Sequence, residues 1–111
     1  MIPLGQLQEM FGNMRRTTKW NVDGPLLWGY FFTDSAPERL QKAGEFLAGE
    51  GYRLVGINEN EPGFFVLHVE RVETHSAETL HMRNLELYEI ADRFDLESYD
   101  GMDVGPVVAI N

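Results

Sequence analysis

The chain contains no cysteine. That rules out disulfides, thiol nucleophiles and cysteine-ligated zinc or iron–sulfur centres, so stability has to come from packing. No apolar run approaches the roughly 18 to 20 residues that span a bilayer. The opening MIPLGQLQEMFGNMRR places acid and amide residues where a signal peptide would carry its apolar core, and a cytosolic location is expected. Bases are scarce too: nine lysines and arginines stand against eighteen acids, a net charge of −9. Residues 1–22 are mildly basic, with Arg15, Arg16 and Lys19 against Glu9, so the acidity belongs to residues 23–111. A body of that sign repels phosphate backbones and suits a basic protein partner, or serves solubility alone.

There is no internal repeat, low-complexity tract or long linker, and 111 residues with 43% hydrophobic content support one modest core. Leu4, Leu7 and Phe11, with Met10 and Met14, recur at the three- and four-residue spacings of a short amphipathic helix. An extended connection through Asp23-Gly24-Pro25 follows, so residues 1–25 read as an arm and 26–111 as the domain. Leu26 to Thr33, LLWGYFFT, is apolar on both alternations and predicts a central strand. Ser35-Ala-Pro-Glu38 has the pattern of a capping box, before a helix through Leu40, Ala43 and Leu47. Tyr52–Ile57 predicts a strand, Asn58–Gly63 a polar hairpin loop, and Phe64–Val72 another strand. Ser76 caps a further helix through Leu80, Leu87, Ala91 and Phe94, and a last strand is expected near Met102 to Ile110. From residue 26 the order is βαββαβ, which predicts an α+β, ferredoxin-like fold with two helices on one face of a four-stranded antiparallel sheet. The short N-terminal helix is additional.

The segment LYEIADRFDLESYDG, Leu87 to Gly101, resembles the C-terminal part of the RraB family, small protein inhibitors of ribonuclease E. The likeness extends back through Gly51-Tyr52 and spans residues 26–105. It implies the same ferredoxin-like fold and a function exerted by protein contact, with ribonuclease E or another RNA-processing component as partner. Two features depart from the family pattern: the arm is mildly basic, and Met102 stands where the family has an aromatic residue.

The stretch Asp92 to Gly105 packs five acids and two glycines into fourteen residues. Its glycines follow a helix, so they do not form a phosphate-binding loop, and its acids lack the order of a calcium-binding loop. Asp92, Asp95, Glu97 and Asp103 read as an acidic rim, a candidate partner surface that also discourages edge-to-edge strand pairing. Phe94, Tyr99, Asp100 and Gly101 read as residues of the fold, with Gly101 supplying a positive φ or a bulge. His68, His75 and His81 lack zinc-motif spacing, and no metal or cofactor is expected. Asn84 lies on the apolar stripe of its helix, where a buried amide needs hydrogen-bond partners. Trp28, Tyr30 and Phe32 share one face of the first strand and are candidate contact residues if that face is open. The reading is a non-catalytic protein-binding module. The alternatives are a structural homodimer through the aromatic sheet face and, behind it, a small-molecule site in a sheet–helix cleft.

Overall fold

The computed structural model describes residues 1–107. In chain order the elements are α1 (Leu4–Thr17), β1 (Leu26–Asp34), α2 (Pro37–Gly49), β2 (Arg53–Glu61), β3 (Phe64–Glu73), α3 (Ala77–Arg93) and β4 (Ser98–Gly105). The strands form one antiparallel sheet in the order β2-β3-β1-β4, the ferredoxin-like arrangement, with β4 at the edge beside β1. Both main helices lie on one face, and α1 packs alongside α3 above the same face. Its Leu7, Phe11 and Met14 belong to the same core as the sheet, with the Phe11 ring 5.9 Å from Trp28.

Both alternations of LLWGYFFT are apolar, and packing chooses between them. Trp28, Tyr30 and Phe32 turn toward the helices and are 0% exposed. This corrects their assignment as contact residues: the largest rings of the strand bury the most surface, so the helices close over them. The face left open carries Leu27, Gly29, Phe31 and Thr33, with the residues paired to them in β3.

Three boundaries differ from expectation, each for a local reason. Helix α2 starts at Pro37 with Ala36 as its N-cap and no side-chain cap from Ser35. Asp34 instead braces the turn that leads into the helix: its buried carboxylate accepts from the backbone N–H groups of Ser35 and Ala36 and pairs with Arg39 at 2.7 Å. Burial raises the Asp34 pKa, but the Arg39 guanidinium and the two backbone donors outweigh it and hold the carboxyl below its usual range. Strand β2 runs to Glu61 through residues expected to loop, because a ladder needs only backbone groups and the Pro62-Gly63 turn suffices to reverse the chain.

The closing strand begins at Ser98, earlier than Met102, while its expected end near Ile110 lies outside the described residues. Gly101 explains the early start. At φ +112° it sits where the β1–β4 pairing slips between Phe31 and Phe32. A bulge there restores Tyr99 and Met102 to the same face, which strict alternation would split, and both pack on the core. Helix α3 is capped as read: Ser76 Oγ accepts from Thr79 N at 3.2 Å, and Thr79 Oγ1 accepts from Ser76 N at 2.8 Å.

Candidate functional site

The C-terminal half of α3 and the start of β4 diverge around a groove of 530 Å³. Leu85, Tyr88, Leu96 and Tyr99 floor it, Met1 closes one end, and Glu89, Asp92 and Glu97 supply all of its charged side chains. A larger hollow of 760 Å³ between α2 and β2 mixes Lys42 with its acids. Of the two, the α3–β4 groove is the one whose charged side chains are all acidic.

The floor is rigid for a chain of identifiable reasons. Tyr99 Oη donates to Asn84 Oδ1 at 2.6 Å, so the buried amide on the α3 stripe ties that helix to β4. Asn84 Nδ2 in turn reaches the Met102 sulfur at 3.7 Å. Burial and the neighbouring Tyr88 push the Tyr99 hydroxyl pKa upward, so it stays a hydrogen-bond donor throughout the neutral range. Tyr88 stands edge-on to Tyr99, ring centres 5.0 Å apart, and its hydroxyl accepts from Ile2 N at 3.2 Å. The arm is thereby fastened at the groove's end.

Helix α3 ends in a hydrogen-bonded reversal: Leu96 N donates to Ala91 O at 2.9 Å, with Asp95 in the left-handed region at φ 57°. Asp95 therefore sets the path by which Glu97 returns to the groove. Asp tolerates this conformation better than most residues, yet glycine adopts it without a side-chain penalty. Asp95→Gly is expected to raise stability by about 0.5–1 kcal/mol, read as a higher melting temperature.

The acids of the sequence stretch are thus distributed. Asp92 and Glu97 meet on the groove rim, joined by Glu89. Asp95 lies at the helix end, where its charge acts on Arg39 together with that of Glu97. Asp100 is exposed within the bulge, skipped by the β1–β4 pairing. Asp103 projects from the open side of the sheet, paired in register with Gly29, and does not join the rim. Phe94 is half-buried with its ring 5.5 Å from Phe46, while Tyr99 is buried. Sequence reasoning missed Glu89, although its three-residue spacing from Asp92 puts both on one side of α3.

A second polar cluster had no local signal. The Glu73 side chain, 7% exposed, accepts from Tyr30 Oη at 2.6 Å, His75 Nε2 at 3.1 Å and Arg83 Nη2, with Arg71 Nε at 3.9 Å. A carboxylate only accepts, so His75 carries its proton on Nε2 while Nδ1 meets Thr79 Oγ1 at 2.9 Å. Burial raises the Glu73 pKa, but the hydrogen bonds from His75, Tyr30 and Arg83 and the Arg83 charge bring it down to about 2. Three neighbours hold its carboxylate at once, although Arg83 Nε is buried with no hydrogen-bond partner among the described residues, and Glu73 is a structural knot rather than a free base. Among the described residues no group of three or more His, Asp or Glu is placed to hold a metal ion, and no helix is long and apolar enough to cross a membrane.

A search of curated proteins gives no match. The family model described as RraB, regulator of ribonuclease activity B, matches residues 6–104, which include nearly all of α1, the whole sheet apart from Gly105, and both groove walls. With nearly the whole chain covered, the protein belongs to the RraB family, regulators of ribonuclease activity.

Proposed function

We propose that the protein regulates a ribonuclease by binding it, without chemistry of its own, and that the α3–β4 groove receives a basic segment of the partner. Family membership carries the first part. What supports the second is the combination, in one groove, of an apolar aromatic floor with Glu89, Asp92 and Glu97 and no basic side chain. A lysine- or arginine-bearing segment with one large apolar side chain complements both features, the apolar group docking on Tyr88 and Leu96 while its charges meet the rim. Ribonuclease E is the partner to try first, since it is the enzyme the family resemblance implies. Contact without catalysis also agrees with the Glu73 cluster, whose strongly shifted carboxyl is spent on holding β1, β3 and α3 together.

The test replaces Glu89, Asp92 and Glu97 together by lysine. All three are exposed, so the melting temperature is expected to stay close to wild type, each surface change being worth within about 0.5 kcal/mol. Association with ribonuclease E, followed by surface plasmon resonance at low salt, should slow by about tenfold or more, because exposed charges act chiefly on the encounter rate. Inhibition of RNA cleavage should weaken in parallel. Wild-type association by the triple variant would remove the groove as the contact surface.

A further inference from the structure

From the open face of the sheet we infer that a second copy of this chain docks there, across a two-fold axis running along the strands. All three helices of the described residues lie on the opposite side, and within those residues Leu27, Phe31, Val55, Phe64, Val66 and Val72 are uncovered or half-covered. Val55, Phe64 and Val72 are among the most exposed large apolar side chains of the described residues, Val72 at 51%. Such a face on an antiparallel sheet is normally either polar or covered.

The register selects the occupant. Arg53 pairs with Glu70, Glu70 with Gly29, and Gly29 with Asp103, so one rung crosses the whole sheet from β2 to β4. Its charges run positive, negative, neutral, negative. A two-fold axis along the strands lays β2 of one copy over β4 of the other, and the rung then meets its own reverse. Arg53 faces Asp103 of the second copy, and Glu70 faces Gly29, twice over; this self-match is what an isologous interface requires.

The groups concerned are available. Arg53 is 74% exposed at the side chain, and its bond to Glu70 is a surface one at 3.3 Å. Asp103 is exposed and has no hydrogen-bond or ion-pair partner among the described residues, and its carboxylate leans over Gly29, where any side chain would run into it. In neighbouring rows Phe31 comes over His68, and Ser98 over Asn58, so apolar meets half-apolar and polar meets polar.

Other occupants fit less well. A phosphate backbone would meet two acids and one base in this rung, on a body of net charge −9. A strongly basic protein segment finds three acids and no basic side chain in the α3–β4 groove instead. Four strands spaced about 4.8 Å apart and roughly seven residues long cover about 450 Å² per copy. The pair therefore lies near ~1,000 Å² in total, the lower end for specific association, and an equilibrium in the micromolar range is expected.

Sedimentation velocity of the full chain from a few micromolar to several hundred micromolar, at physiological ionic strength, tests this. Wild type should pass from monomer to dimer over that range. Arg53→Glu alone and Asp103→Arg alone each turn both cross-axis pairs repulsive, and each should weaken dimerisation at least tenfold with an unchanged melting temperature. An equimolar mixture of the two variants restores two attractive pairs in the heterodimer, so dimerisation should return to within threefold of wild type. A wild-type chain that stays monomeric throughout overturns the inference, as does a mixture that fails to recover. Dimers untouched by either single variant would place the contact elsewhere and overturn it equally. Binding of RNA or another protein to this face with no self-association would also reject it.

Discussion

Replacing Glu73 with glutamine is expected to cost about 3–5 kcal/mol, which corresponds to a melting temperature lower by roughly 10 °C or more. The loss is large because the change removes one member of a buried set rather than an exposed pair. Arg83 stays partly buried with only the exposed Glu86 as counter-charge, and Tyr30 and His75 each lose a charged acceptor. The cluster ties β3 and α3, which are neighbours in sequence, to the distant β1, so much of the penalty falls on the tertiary arrangement.

The pH dependence carries the sign of a depressed carboxyl. Glu73 has a folded pKa of about 2 against an ordinary value of 4.5, so its contribution is complete above about pH 5. It is lost progressively as the pH falls from there toward about 2. Thermal melts of wild type and Glu73→Gln should therefore differ most near neutrality and converge on acidification. A gap that stayed constant down to pH 2.5 would mean the carboxylate is not held by the partners named here.

The second large effect compares two neighbours of one strand that face opposite ways. Trp28→Ala should cost about 3–5 kcal/mol, since the indole is fully buried between Phe11 of α1 and the edge of His75. Phe31→Ala should cost about 1–2 kcal/mol, because its ring lies half-exposed on the open face, stacked on His68 with ring centres 4.4 Å apart. Urea denaturation of both variants decides the matter. Equal losses would contradict the assignment of the helix-covered face.

That pair of residues also marks where the reach of the sequence ends. Periodicity, Ser76 and the Pro62-Gly63 turn act through neighbours within a few residues, so the order of elements and the sheet topology are legible from local pattern alone. The resemblance in LYEIADRFDLESYDG points to the family on the same local footing, and the family match over residues 6–104 agrees with it. Tyr99 and Gly101 are legible as fold residues for a similar reason: a helix end, a turn and a glycine leave few uses for either.

What only the folded chain decided are the relations between distant residues. LLWGYFFT is apolar on both alternations, so nothing within it says which side the helices will cover; the choice depends on how much surface three helices can bury against each side at once. The Glu73 knot joins residues up to 43 positions apart, and no spacing rule reaches that far. The acids of Asp92 to Gly105 look like one patch in sequence, yet a left-handed residue at Asp95 and a bulge at Gly101 turn the chain between them. Asp92 and Glu97 consequently share a groove, while Asp103 emerges through the other side of the sheet. Backbone geometry at those two residues, determined by packing against α3 and β1, assigns neighbouring charges to different surfaces.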